Sequence, residues 1–199
     1  LYGQFVIDEW RMREMLAGDG WHGNKYGWQA GVKLFNPMKL KNLFLQTEFN
    51  SVRPYMYSHY LTTQNYSHHG EPLAYAFGAN TREFIGIARY NYRRLYMNFK
   101  YNHAVFGLDT SGTNYGKNIF LNYHIRPNDY GNQITQGLTT TMQQLDATIS
   151  YLVNPHTNMN LFMGIIWRKE KNTRFNHAYT WIHAGFRTSL RNQYDDFYW

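Results

Sequence analysis

Residues 95–106, LYMNFKYNHAVF, alternate between apolar and polar side chains, and this alternation decides the fold class. The apolar positions are Leu95, Met97, Phe99, Tyr101 and Val105, and the polar positions between them are Asn98, Lys100 and Asn102. Successive side chains of a β-strand point to opposite faces, so a period of two separates the two kinds of side chain. A helical period of about 3.6 residues does not fit this pattern. The stretch therefore predicts a β-strand.

The same alternation recurs along the chain and predicts an all-β fold. It is clear in residues 118–126 (NIFLNYHIR), 144–153 (QLDATISYLV) and 159–169 (MNLFMGIIWRK). Weaker versions occupy residues 2–10, 25–35, 43–52, 82–92 and 179–190. Together these segments make about nine strands of roughly 9 to 12 residues, whereas strands of soluble sheets usually have about 5 or 6. A tilted strand of about 9 to 11 residues is long enough to cross a bilayer.

The aromatic content favours a membrane interface. Aromatic residues make up 19% of the chain and include 18 tyrosines, more than a core of this size needs. Tyr and Trp are favoured on sheet surfaces, in carbohydrate sites and at membrane interfaces, where one end of the ring is dry and the other wet. The chain closes on Phe197, Tyr198 and Trp199, which we expect to anchor it at such an interface.

Strands in lipid must have all their backbone groups paired, so the sequence predicts an antiparallel transmembrane β-barrel of the outer-membrane type. A soluble carbohydrate-binding β-sandwich shows the same alternation and stays an alternative. No apolar run is long enough for a transmembrane helix. The chain contains no cysteine, which excludes disulfides, thiolate metal sites and cysteine nucleophiles. We expect no cofactor.

A formal net charge of +7 predicts an acidic partner. Nucleic acid, a phosphate-bearing lipid and an anionic polysaccharide all fit this charge. The basic residues are spread along the chain rather than grouped in blocks, which argues against nucleic acid. The expected partners are therefore outer-membrane lipid and an acidic polysaccharide or lipopolysaccharide.

The longest connection, residues 53–80, is the expected functional loop or lumen plug. Its length of about 28 residues exceeds what a compact domain usually leaves without regular structure. Outer-membrane barrels have short turns on one side and long loops on the other. With nine strands, this segment falls on the same side as the short turn at 154–158. Either one strand between residues 81 and 153 is miscounted, or the segment enters the barrel from the inner side.

Several blocks occur in an order that resembles the C-terminal half of the Wzi-like capsule-assembly barrels and the related gliding-motility barrel RemB. The most specific blocks are VRPYMYSH at 52–59 and PLAYAFGAN at 72–80, and further blocks include YGQFVIDEW, GLDTSGTNYGKNIF and GFRTSL. The chain departs from the family pattern at Trp21-His22 and at Glu71, Tyr75 and Phe77.

The resemblance implies a non-catalytic outer-membrane barrel of about 18 strands in a Gram-negative bacterium, with the N-terminal strands missing from this chain. It implies binding or organisation of surface polysaccharide during capsule assembly. The same resemblance leaves open an accessory role in gliding motility or protein secretion, with a protein partner.

The candidate ligand-binding residues lie in or beside the long connection. They are Arg53, Tyr55, Tyr57, His59, Tyr66, His68, His69, Glu71, Asn80 and Arg82. Flat aromatic faces and hydrogen-bond donors suit sugar rings and acidic groups, and Arg53 is able to hold a carboxylate or phosphate through two hydrogen bonds. The alternative is that these rings plug the lumen and only pack.

Metal binding and catalysis are not expected. His59, His68, His69 and Glu71 form the only histidine cluster of the sequence, and convergence on a metal would require a tight turn at Gly70. Ser58-His59 and Ser67-His68 are neighbours in sequence, which is not the arrangement of a nucleophile and its base.

Overall fold

The computed structural model describes residues 1–73 and 75–188 and confirms the all-β class. The strands are β1 (Tyr2–Glu9), β2 (Lys25–Phe35), β3 (Leu43–Val52), β4 (Ser67–His68), β5 (Glu71–Pro72), β6 (Thr81–Tyr92), β7 (Leu95–Leu108), β8 (Leu138–Asn154), β9 (Met159–Lys171) and β10 (Asn176–Arg187). Strands β4 and β5 form a separate hairpin, and the other eight form one antiparallel sheet in chain order. Over the described residues this sheet is open, with β1 and β10 at its edges.

Among the described residues, helical structure is limited to the connections between strands. Helix α1 (Met12–Ala17) ends at Gly18, whose φ of 73° terminates it in the left-handed conformation. Single 3-10 turns occupy Pro37–Lys39, Thr62–Gln64 and Tyr123–Ile125. Within the described part of the chain, no helix has both the length and the apolar character needed to cross a bilayer.

The predicted strand at 118–126 is wrong, and the sheet has eight strands rather than nine. Asparagine side chains replace strand pairing in this segment. The Asn118 side chain accepts a hydrogen bond from the Phe120 amide at 3.0 Å, and Asn122 accepts one from the His124 amide at 2.8 Å. Such local bonds compete with a β-ladder, so the apolar–polar alternation here belongs to a folded loop.

With eight strands instead of nine, the position of the 53–80 segment at one end of the sheet is defined. Because neighbouring strands are antiparallel, connections alternate between the two ends of the sheet. The short connections 36–42, 93–94 and 155–158 share one end, here called the short-turn end. The long connections 10–24, 53–80 and 109–137 share the other end with the short connection 172–175, and this end is here called the cap end. A miscounted strand between residues 81 and 153 was thus the source of the conflict.

The two faces of the sheet differ in chemistry, as the alternation predicts. One row across the sheet on the apolar face runs through Ala88, Phe99, Ala147, Ile165 and Ile182. The row beside it on the polar face runs through Gln46, Ile87, Lys100, Asp146 and Ile166.

Toward the cap end, the polar face is the covered one. Asn50 and Glu83 on this face are each only 3% exposed, whereas Phe99 is 45% and Met163 60% exposed on the apolar face. A sheet of a water-soluble protein shows the reverse, because it turns its apolar face toward the core.

The core lies where the long connections fold over the polar face. One buried cluster contains Val52, Met56, Tyr57, Ala79 and Ile119, and a second contains Ala104, Phe106 and Met142. The Tyr75 hydroxyl donates to the Glu83 carboxylate, and Asn50 donates to the same carboxylate at 3.2 Å. The cap-end half of the polar face is therefore covered by residues of the connections.

The predicted aromatic anchor at 197–199 and the last residues of the strand predicted at 179–190 lie outside the described residues. So does Ala74, within the long connection.

Candidate functional site

The three long connections form one hydrogen-bonded unit, here called the cap. The Gly131 amide donates to the Asp19 carbonyl at 2.7 Å, which joins the 109–137 and 10–24 segments. The Tyr55 amide donates to the Gly116 carbonyl at 3.1 Å, which joins the 53–80 and 109–137 segments. Backbone groups thus find partners across connections, as buried loops require.

Asn80 is a central tie of the cap. Its side chain is fully buried, and its backbone φ of 55° lies in the left-handed region that asparagine tolerates. The side-chain nitrogen donates to the carbonyls of Gly107 at 3.0 Å and Gln136 at 2.9 Å. The side-chain oxygen accepts from the Thr135 amide at 2.6 Å. The structure therefore gives this predicted ligand residue a structural role.

Arg53, Tyr55 and Tyr57 also point into the cap. The Arg53 guanidinium donates to the backbone carbonyls of Trp21 at 3.5 Å and Asn132 at 3.4 Å. The buried Tyr55 hydroxyl donates to a backbone carbonyl at 3.0 Å. Burial raises the pKa of Tyr55 well above its usual value and that of Tyr57 to about 12. These rings therefore pack inside the cap.

The remaining predicted residues lie elsewhere. Tyr66, His68 and His69 are exposed in and beside the β4–β5 hairpin, where the two histidine rings are 4.1 Å apart. Glu71 pairs with His68 in this two-residue ladder. Arg82 is exposed on the apolar face near the cap end. The predicted set is thus distributed over the inside of the cap, the hairpin and the sheet.

His59 connects the predicted set to a carboxylate pair at the end of β1. Its Nε2 atom lies 3.2 Å from an Asp8 carboxylate oxygen, and its Nδ1 atom lies 4.0 Å from Glu9. The neighbouring Ser58 hydroxyl donates to the Tyr55 carbonyl at 2.6 Å, so it is engaged with the backbone rather than with His59. Asp8 and Glu9 also line a cleft that the sequence motifs did not indicate.

This cleft, here called the tryptophan cleft, has a volume of about 550 Å³. Its lining residues are Asp8, Glu9, Trp10, Arg11, Trp21, His22, Gly23 and Tyr123. Trp10 is 45% exposed, and the Arg11 guanidinium lies 4.7 Å above the Trp21 ring. Two short aromatic motifs contribute to the cleft, DEW at 8–10 and GWH at 20–22, but neither indicates that they meet in one cleft.

Lys25 contacts two residues that line the tryptophan cleft, Glu9 and Tyr123. Its side chain is 1% exposed, and its ammonium lies 2.9 Å from the Glu9 carboxylate and donates to the Ser58 carbonyl at 2.6 Å. The same ammonium lies 4.9 Å from the centre of the Tyr123 ring. A buried charge is tolerated when it is paired and hydrogen-bonded in this way. The contacts hold β1, β2 and the cap in one arrangement.

His22 stands among the aromatic rings of the cleft, 5.3 Å from Trp21 and 6.0 Å from Tyr123 between ring centres. Burial lowers the pKa of His22, and the nearby positive charge of Arg126 lowers it further. The imidazole is therefore neutral at pH 7. A neutral imidazole offers one donor and one acceptor nitrogen, which matches the dual character of a sugar hydroxyl.

The cleft has the composition of a carbohydrate site. Aromatic faces pack against the C–H faces of sugar rings, while carboxylates and guanidinium groups hydrogen-bond hydroxyl and acidic substituents. In the part of the chain that the structure describes, no three histidine, aspartate or glutamate side chains are grouped as ligands for a metal ion.

Comparisons of the chain with family models, with curated proteins and with solved structures found no match. The assignment of a function therefore rests on the geometry of the sheet and of the tryptophan cleft.

Proposed function

We propose that this chain is part of an integral outer-membrane β-barrel of a Gram-negative bacterium, of the Wzi-like kind that its sequence resembles. It binds surface polysaccharide at the cap end and catalyses no reaction. The observation that carries the proposal is the exposed apolar face of an eight-stranded sheet whose polar face is covered by the connections at the cap end.

Lipid is the environment that this sheet fits best. Each large apolar side chain contributes roughly 1.5 to 3 kcal/mol when it leaves water. The exposed set on this face includes Phe5, Leu34, Phe49, Phe84, Phe99, Ile149, Leu161, Met163, Ile182 and Phe186. A soluble sandwich would need a second layer over this face, whereas the folded connections cover the other one. The strands β6 to β9, with 12 to 17 residues, are long enough to cross a bilayer when tilted.

Polysaccharide is the ligand that the tryptophan cleft fits best. Its volume lies within the range of about 300 to 1,000 Å³ usual for small-ligand sites. Trp10 offers an exposed ring, and Asp8 and Glu9 supply hydrogen-bond acceptors for hydroxyl groups. Arg11 provides a cation for the acidic groups of a capsule-type polymer, in keeping with the net charge of +7.

Calorimetric titration of the purified protein in detergent with an acidic capsule-type glycan tests this function. We expect Trp10→Ala to weaken binding at least about 10-fold, which corresponds to about 1.4 kcal/mol. The matched control is Trp28→Ala, because Trp28 lies on the apolar face and is 39% exposed.

Equal weakening by both substitutions, or no binding by the unaltered protein, would contradict the polysaccharide role. A stable protein partner that co-purifies in the absence of glycan affinity would point instead to the motility or secretion role.

A further inference from the structure

In the part of the chain that the structure describes, the short-turn half of the sheet carries positive charge without negative charge. The residues between the short turns and the middle of the sheet are 34–45, 88–99, 147–165 and 182–188. They include Lys39, Lys41, Arg89, Arg93, Arg94 and Arg187, and they contain no aspartate or glutamate. Every acidic residue of the described chain lies at the middle row of the sheet or toward the cap end. Within the described residues, positive charge is therefore concentrated at one end of the strands.

Four of these cations form a single patch, here called the basic turn patch. Lys39 and Lys41 lie in the 36–42 turn, and Arg93 and Arg94 lie in the next turn of the same end; all four are exposed. The two turns are adjacent, because the Asn91 amide donates to the Asn42 carbonyl at 3.2 Å. Among the described residues, none of the four cations is paired with a carboxylate.

A belt of tyrosines separates this patch from the apolar face. Tyr90 and Tyr92 lie on the apolar face of β6, with ring centres 6.4 Å apart and nearly parallel planes. Tyr151 lies in the same row as Tyr92, on the far side of Leu95. The Arg93 guanidinium lies 5.3 Å above the Tyr92 ring. Within a few residues the surface thus passes from aliphatic side chains through tyrosines to cations.

This order matches the layers of a phospholipid leaflet. Tyrosine prefers the level of the headgroups, and lysine and arginine beyond it attract anionic phosphates at the membrane surface. An extended acidic polymer in water would meet cations along a groove, whereas these cations lie beside the edge of the lipid-facing surface.

We propose that the basic turn patch binds the headgroups of anionic phospholipids such as phosphatidylglycerol, with the tyrosine belt at the depth of the glycerol backbone. This inference rests on the proposed insertion of the sheet in a membrane. It adds a lipid specificity and assigns it to one end of the strands.

Electron spin resonance with spin-labelled lipids tests the inference. The protein is reconstituted in phosphatidylcholine vesicles, and the fraction of immobilised spin label is compared for phosphatidylglycerol and phosphatidylcholine. We expect a several-fold preference for phosphatidylglycerol that weakens as salt is added. The combined variant Lys39→Gln, Lys41→Gln, Arg93→Gln and Arg94→Gln is expected to lose this preference.

The matched control makes the same change in net charge outside the short-turn half of the sheet. It combines Lys33→Gln, Lys100→Gln, Arg168→Gln and Arg174→Gln, and we expect it to retain the preference. A preference that survives in the turn variant, or that falls equally in both variants, overturns the inference. Immobilisation of both lipids without any preference also overturns it, whereas immobilisation of neither lipid shows that the membrane proposal itself has failed.

Discussion

Lys117 shows how strongly single residues are constrained inside the cap. Its ammonium donates to the Phe77 carbonyl and to the Thr81 hydroxyl, the latter at 2.9 Å, and lies 4.8 Å from the Phe106 ring centre. Burial lowers the pKa of Lys117 to about 8, and the carboxylate of Asp109 opposes that shift. The residue joins the 109–137 connection to the 53–80 connection, and burial of its charged ammonium has a cost in desolvation free energy.

The lowered pKa predicts a pH dependence of stability. The unfolded lysine titrates near 10.5 and the folded one near 8, so between these values the unfolded state binds more protons. The free energy of unfolding should therefore rise with pH from about 8 to about 10.5, by an amount on the order of 1 to 3 kcal/mol. Urea unfolding in detergent across this range measures it.

Lys117→Met should remove this rise, whereas Lys41→Met at an exposed position should leave it in place. An unchanged slope in the Lys117→Met variant would show that the ammonium is not desolvated in the folded state.

The tryptophan cleft shows what the residues alone cannot reveal. The composition of the 53–80 segment suggested a binding surface, but Tyr55 and Tyr57 adopt φ values of 63° and 70° and turn their rings inward. Trp10 and Tyr123, by contrast, come from connections far apart in sequence. A local pattern contains no information about which connections meet, so the cleft could not be predicted from the motifs.

Individual strands could be predicted from the sequence where backbone pairing with a neighbouring strand stabilises them. The predicted strands at 25–35 and 43–52 coincide with β2 and β3, because alternating side chains and paired backbones agree there. The prediction failed at 118–126, where Asn118 and Asn122 bond their own backbone. Alternation thus identifies a strand only where asparagine and aspartate side chains do not form hydrogen bonds with the nearby backbone.

We expect loss of the Asn80 side chain to destabilise the cap more than the sheet. Asn80→Ala removes the side-chain hydrogen bonds to three backbone carbonyls and one backbone amide. It also leaves alanine, which has no such bonds, at a φ of 55°. We expect a loss of about 2 to 4 kcal/mol. Hydrogen exchange should accelerate in residues 53–73 and 109–137, while β7 to β9 stay protected.

Asn36→Ala is the matched control, because Asn36 has a φ of 53° but is exposed in a short turn. Its effect should stay within that turn and be no more than about 1 kcal/mol. Equal acceleration of the cap by both variants would refute a specific role for Asn80.

At the scale of the whole molecule, the sheet separates three surfaces: an apolar face, a cap with a cleft, and a basic short-turn end. The sequence predicted the first from its alternation and strand lengths. The sequence did not predict at which end of the sheet the long connections lie. One false strand in the count reverses the expected direction of all the strands that precede it relative to those that follow it. The antiparallel pairing of eight strands removes this ambiguity and places the three long connections together.

The central claim, that the apolar face contacts lipid, is open to a direct test because the chain contains no cysteine. Ile165 and Ile166 are adjacent, identical residues on opposite faces of β9. Single cysteines at these positions, Ile165→Cys and Ile166→Cys, are labelled with a fluorophore in vesicles, and quenching by nitroxide-bearing lipid is compared with quenching by iodide in water. If the apolar face contacts lipid, nitroxide-bearing lipid quenches the label at 165 and not the label at 166. Equal quenching at the two positions, or no lipid quenching at either, would contradict it.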